Sequence, residues 1–124
     1  MALYSDVIRE RFRRPLHRGS LEAPDAVFED VNPLCGDRIR FECRIAGGRL
    51  ADARFTGDSC AIAGASADVL VELMVGQPVA AVDALGTADI LERLQADVRP
   101  ARLKCVALPL QVLRGALAGK ETPR

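Results

Sequence analysis

A mixed helix-and-strand fold is predicted for this 124-residue chain by three observations. Residues 37–45 alternate apolar and polar side chains, the period of a strand with one buried face. Residues 60–75 and 103–117 instead repeat apolar residues three and four apart, the period of a helix. Gly47-Gly48 separates the alternating run from a second one over 50–57, so the chain turns back on itself there.

Leu3, Tyr4, Val7, Ile8 and Phe12 share helical spacing at the start, and Pro15 ends that segment. Residues 15–25 carry Pro15, Gly19, Pro24 and the lone histidine, His17, and read as a loop. AVFEDVN (26–32) is the candidate first strand. From Asp37, Ile39, Phe41, Cys43 and Ile45 face one way, while Arg38, Arg40, Glu42 and Arg44 face the other. A three-residue loop, 47–49, pairs residue 45 with 51 and Phe41 with Phe55, keeping both rings on one face. That register, carried on, sets Asp37 opposite Ser59 and therefore beside Cys60.

Ser59 is the expected N-cap of the next helix, which leaves Cys60 in its first turn. Ile62, Ser66, Val69, Leu70, Leu73 and Met74 form its apolar face, and Gly76 and Pro78 stop it. Short helices follow over 78–85 and 87–94, with Thr87 as the second N-cap. The last helix repeats Leu103, Val106, Leu110, Leu113 and Leu117 and closes at Gly119. Pro109 lacks an N–H and clashes with the Cys105 carbonyl, so regular helix is expected to begin only after Cys105.

Length and composition set the class. The chain reads as a single domain, 1–124, and 49% hydrophobic residues suffice for a core without disulfides. Lys+Arg and Asp+Glu balance at 17 each, which gives no basic field for nucleic acid or a membrane surface. No apolar run approaches the roughly 20 residues that span a bilayer. MALYSDVIRERFRR mixes charge with apolar residues, unlike a signal peptide. A cytoplasmic protein follows. Its four cysteines, Cys35, Cys43, Cys60 and Cys105, are then expected as reduced thiols.

The thiols sort by position. Cys43 lies six strand residues from Asp37, about 20 Å, too far to share a metal with it, and its inward parity makes it core. Cys60 opens a helix, where partial positive charge favours thiolate. Cys35 sits in the Pro/Gly-punctuated turn NPLCGD, two residues before Asp37, and Cys105 opens the last helix. Three cysteines and a carboxylate at element ends fit a site built by converging loops. They equally fit small buried hydrophobes, because the chain has no CxxC pair. His17 reads as surface rather than as a further ligand. Ser66 has no partner histidine for nucleophile chemistry.

NPLCGDRI, ADARFTGDSCAIAGASADVL and ARLKCVAL, in that order, resemble the IscU/NifU N-terminal type of iron–sulfur cluster assembly scaffold, nearest to its SufU-like branch. LYSDVIRERFRRP resembles that branch's opening helix, so the likeness spans roughly residues 3–118. It implies an α+β fold of the SufE/NifU-like kind: a three-stranded antiparallel sheet with helices packed on one face. It implies a ligand set of Cys35, Asp37, Cys60 and Cys105 for Zn²⁺ or a transient [2Fe–2S] cluster.

It further implies a scaffold rather than a turnover enzyme. Sulfur would come as persulfide from a cysteine desulfurase, and cluster would pass to recipient apo iron–sulfur proteins or a carrier. Cys35 is the implied persulfide acceptor and Cys105 the alternative. The other readings are a zinc-dependent sulfurtransferase partner of the desulfurase, or a divergent paralogue keeping a structural zinc. The state is read as monomer or weak homo-oligomer.

Lys104 stands where the IscU branch has a histidine ligand, which favours Cys₃Asp over Cys₃His. The stretch from Gly76 to Arg102 lacks the insertion usual in SufU-like proteins, so docking through that branch's usual surface is not implied. Three thiolates, a carboxylate and one divalent cation leave net negative charge, which Arg38, Lys104 and Arg102 are placed to offset. Asp37, a hard oxygen among soft sulfurs, is the ligand expected to leave most easily.

Overall fold

Three antiparallel strands form one sheet in the order β1 (Ala26–Asn32), β2 (Asp37–Ala46), β3 (Arg49–Thr56). The computed structural model describes residues 5–34 and 36–120. Among the described residues four α-helices accompany the sheet: α1 (Asp6–Arg13), α2 (Ala61–Met74), α3 (Thr87–Leu94) and α4 (Leu103–Leu117). Short 3₁₀ turns occupy Val79–Ala84 and Pro100–Arg102. The α+β class implied by the resemblance is what the chain adopts. Leu3 and Tyr4, placed in the first helix from sequence, lie outside the described residues; Ser5 caps α1 by accepting from the Ile8 N–H at 3.1 Å.

The central hairpin keeps the expected pairing of Phe41 with Phe55, whose rings are 6.3 Å apart. Its turn differs from expectation. Gly47 and Gly48 alone make it, because both take positive φ (+60° and +74°), which a two-residue hairpin turn requires. Ile45 then pairs with Leu50, not with residue 51, and Ala51 is the extra residue of a bulge. The bulge sends Leu50 into the core and Ala51 to solvent.

Ile39, Phe41 and Cys43 carry the buried face of β2. Helix α4 packs on β1 and β2, and α2 packs on β3 and α4. The expected one-sided apolar face of α2 proves too narrow. With α1, α3, α4 and β3 around it, its Ala63, Ala65, Ala67 and Val71 are buried as well, while Leu73 is half-buried. Small residues make that close enclosure feasible.

Two helix starts depart from the sequence reading. Gly86, not Thr87, caps α3, because the Asp89 carboxylate accepts the Gly86 N–H at 2.8 Å. Helix α4 runs unbroken through Pro109, so Cys105 lies in its first turn and the 3₁₀ lead-in ends at Arg102. Pro109 costs the helix one N–H to the Cys105 carbonyl. Pro109 is itself buried, and packing in the core offsets the loss.

Asp68, inside α2, is fully buried. It is held by the Arg11 guanidinium at 2.8 Å and by the His17 backbone N–H at 2.8 Å. Arg11 also bridges to Glu72. The loop after α1 continues along the edge of β3, where the Phe55 N–H donates to the His17 carbonyl and the Gly19 N–H to that of Phe55. His17 is therefore half-buried rather than a surface residue.

Arg11→Met should lower stability by about 3 kcal/mol, since it leaves a buried carboxylate without its cation. Arg11→Lys should recover part of the loss. Urea unfolding of the three proteins checks both.

Candidate metal centre

Asp37 opens β2 and is only 4% exposed. Cys60, rather than Ser59, is the N-cap of α2. Its extended backbone (φ −69°, ψ 168°) turns Sγ back to accept the Ala63 N–H at 3.4 Å. A carboxylate joins the two elements: the Cys60 N–H donates to Asp37 Oδ1 at 2.8 Å, which sets Cys60 Sγ 3.6 Å from Asp37 Oδ2. Cys105 comes in from the first turn of α4, 1% exposed. One ligand atom from each of the three lies within 4.8 Å of the others.

The approach of Cys60 to Asp37 depends on the loop between β3 and α2. Beyond the last strand pair, the Arg38 N–H still donates to the Asp58 carbonyl at 2.7 Å, so the Phe41–Phe55 register persists to the site. Gly57 makes this feasible. Its φ is +144°, and a Cβ there would fall 1.9 Å from the Arg38 carbonyl oxygen. No side chain fits between the loop and the start of β2.

The donor set fits a tetrahedral cation. Zinc bonds of about 2.3 Å to sulfur and 2.0–2.2 Å to oxygen give a sulfur–oxygen edge of about 3.6 Å and a sulfur–sulfur edge of about 3.8 Å. The Cys60–Asp37 edge has that length already. The remaining contacts need to close by about 1.2 Å at most. The three residues line an open pocket of about 360 Å³ together with Ala101, Arg102 and Lys104.

Burial, followed by the neighbouring Cys60, pushes the Cys105 thiol up to about 12. Arg102 interacts with the Cys105 and Cys60 thiols, which raises its own affinity for its proton above the usual. Its Nε is enclosed without a hydrogen-bond partner among the described residues.

Of the four sequence-predicted ligands, Asp37, Cys60 and Cys105 meet, and Cys35 lies outside the described residues. Cys43 is core as expected, fully buried, with burial and then Glu42 holding its thiol up to about 12. His17 is absent from the ligand cluster among the described residues. Arg38 points out to a salt bridge with Asp58 at 3.1 Å, while Lys104 and Arg102 line the pocket. Gly57 escaped the sequence reading, although its place in TGDSC, just before the ligand, is the signal that marks it.

Residues 3–121 match the family model described as the NifU-like N-terminal domain. The chain is 31% identical to the zinc-dependent sulfurtransferase SufU of Bacillus subtilis, covering 96% of this chain and 92% of that protein. It is 30% identical to the iron–sulfur cluster assembly scaffold protein IscU of Thermotoga maritima, over 93% and 92% of the two chains. The crystal structure of a putative iron–sulfur cluster assembly scaffold protein for the SUF system from Fervidobacterium islandicum superimposes with a TM-score of 0.79 at 27% identity. That match covers 93% of this chain and 96% of the other. No helix among the described residues is long and apolar enough to cross a membrane.

Gly57→Ala should cost about 1–3 kcal/mol in backbone strain and pull Cys60 off Asp37, weakening zinc binding along with thermal stability. A zinc ion bound at this site would also have to displace the Cys105 proton, whose affinity is raised. The metal-free, protonated form is favoured as pH falls, so apparent zinc affinity should rise about tenfold per pH unit for each proton released. Chelator competition between pH 6 and 8 measures that slope.

Proposed function

Because this chain belongs to the NifU-like N-terminal domain family, we propose that it is an iron–sulfur cluster assembly scaffold and sulfur acceptor. The single observation that carries the reading is the gathering of Asp37, Cys60 and Cys105 within 4.8 Å at an open pocket. Cys35, two residues before Asp37 in sequence, completes a Cys₃Asp set. No turnover chemistry is assigned to the chain alone.

Sulfur enters by exchange. A Cys35 thiolate attacks the outer sulfur of a cysteine desulfurase persulfide. A new S–S bond forms on Cys35, the donor's S–S bond breaks, and the donor cysteine leaves as thiolate, with no net oxidation. Thiolate attack of this kind is fastest where the thiol is accessible. Cys105, 1% exposed and held protonated, is a poor acceptor in the metal-free protein. Iron and sulfide are cargo, assembled on the thiolates and passed to apo iron–sulfur proteins or a carrier.

Zinc is the second occupant the donor set suits. The 3.6 Å Cys60–Asp37 edge suits a resident zinc as well, with the chain then acting as a sulfurtransferase partner of the desulfurase; the Bacillus subtilis relative is named a zinc-dependent sulfurtransferase. Asp37 is the hard ligand among sulfurs and the one to give way when a further sulfur or iron enters.

Anaerobic reconstitution with ferrous iron, cysteine and a cysteine desulfurase separates the two. A [2Fe–2S] chromophore lost in Cys60→Ser and Cys105→Ser is the scaffold outcome; retained zinc with stimulated desulfurase turnover is the transfer outcome. In either case Cys35→Ser should abolish labelling by ³⁵S persulfide, and full labelling of that variant would remove Cys35 from the acceptor role.

A further inference from the structure

Three observations at the pocket concern Arg102 rather than the ligands. Its side chain lines the same 360 Å³ pocket as Cys60 and Cys105, its charge interacts with both thiols, and its Nε is buried without a partner among the described residues. It ends the 3₁₀ turn that leads directly into α4, three residues before Cys105, and lies on the ligand side of that junction. Neither Lys104 nor Arg38 stands in this position. Lys104 lines the pocket without a salt bridge among the described residues, and Arg38 pairs with Asp58 at 3.1 Å.

We propose that Arg102 is a built-in placeholder cation: it holds the Cys60 and Cys105 sulfurs together while the site is metal-free, and an incoming metal ion displaces it. This rests on the metal-site reading above and assigns a residue that neither donates a ligand nor accepts sulfur.

The physical argument has two parts. Two sulfurs and a buried carboxylate brought this close need a positive or donating neighbour, and a guanidinium with five N–H groups can serve more than one acceptor at once. A divalent ion bonded directly to the same sulfurs needs the space in front of them and brings greater charge. The guanidinium and the ion then compete for that space. Binding of metal is then an exchange of one cation for another, and the orphaned Nε shows that the guanidinium is only partly satisfied where it rests.

The consequence is a definite sign. Metal must first turn Arg102 out, so Arg102 weakens the apparent metal affinity while stabilising the empty protein. Once displaced, it contributes nothing to the loaded form at the sulfurs. A residue that served only to neutralise the loaded centre would act in the opposite sense on both counts.

The test uses the full chain, stripped of metal under reducing conditions and titrated with Zn²⁺ alone against a chromophoric chelator. Melting temperatures are read with and without zinc. Arg102→Met should bind zinc on the order of tenfold tighter, melt lower when empty, and match wild type when loaded. Arg102→Lys, which keeps one charge but not the fork, should fall between, and it decides the matter if the methionine variant does not fold when empty. Zinc affinity that is unchanged or weaker in both variants, or a loaded form that loses as much stability as the empty one, overturns the placeholder role. If wild type itself takes no zinc at Cys60 and Cys105, the metal-site reading fails and takes this inference with it.

Discussion

One carboxylate ties the site to the fold. Asp37 Oδ1 accepts the Cys60 backbone N–H, and that bond joins the first residue of β2 to the N-cap of α2. Asp37 is nearly inaccessible, so its charge needs donors, and the orphan N–H groups of a helix start supply one where the dipole also favours an anion. The same contact leaves Oδ2 facing Cys60 Sγ at 3.6 Å. Without it, a strand and a helix would merely lie near each other. With it, an oxygen and a sulfur are held at the separation that a tetrahedral ion demands.

The remainder of the molecule fixes the two sides of that junction. Gly57 lets the loop pass against the Arg38 carbonyl. The Phe41–Phe55 pair sets the strand register that is felt as far as Asp58. Burial of α2 on nearly every side, with Asp68 locked by Arg11 and the His17 amide, keeps its N-terminus from shifting. Helix α4, packed on β1, β2 and α2, then delivers Cys105. Rigid elements carry two sulfurs and an oxygen to one place, while charge at the pocket comes from the Arg102–Lys104 junction.

Much of this was readable from residue order. Alternation from Asp37 gave β2 its faces, and keeping Phe41 and Phe55 together gave the register that brings Asp37 to Cys60. The hairpin tip departs from the parity expectation because parity counts residues and cannot see a bulge; two adjacent glycines at positive φ favour the shorter turn. Cys60 lies one position earlier than the sequence suggests, because serine is the commoner cap yet here a thiol accepts the Ala63 N–H. Pro109 misled in the other direction: its intrinsic cost is real, but packing outweighs it. Sequence marks Arg102 only as a nearby charge, since its approach to Cys60 joins two segments that no local pattern relates.

X-ray absorption at the zinc edge of the loaded protein tests the central claim most directly. The account predicts a four-coordinate, sulfur-dominated shell near 2.3 Å with a single oxygen near 2.0 Å, the oxygen scattering lost in Asp37→Ala. A six-coordinate shell of oxygen and nitrogen, with no sulfur at bonding distance, would contradict it.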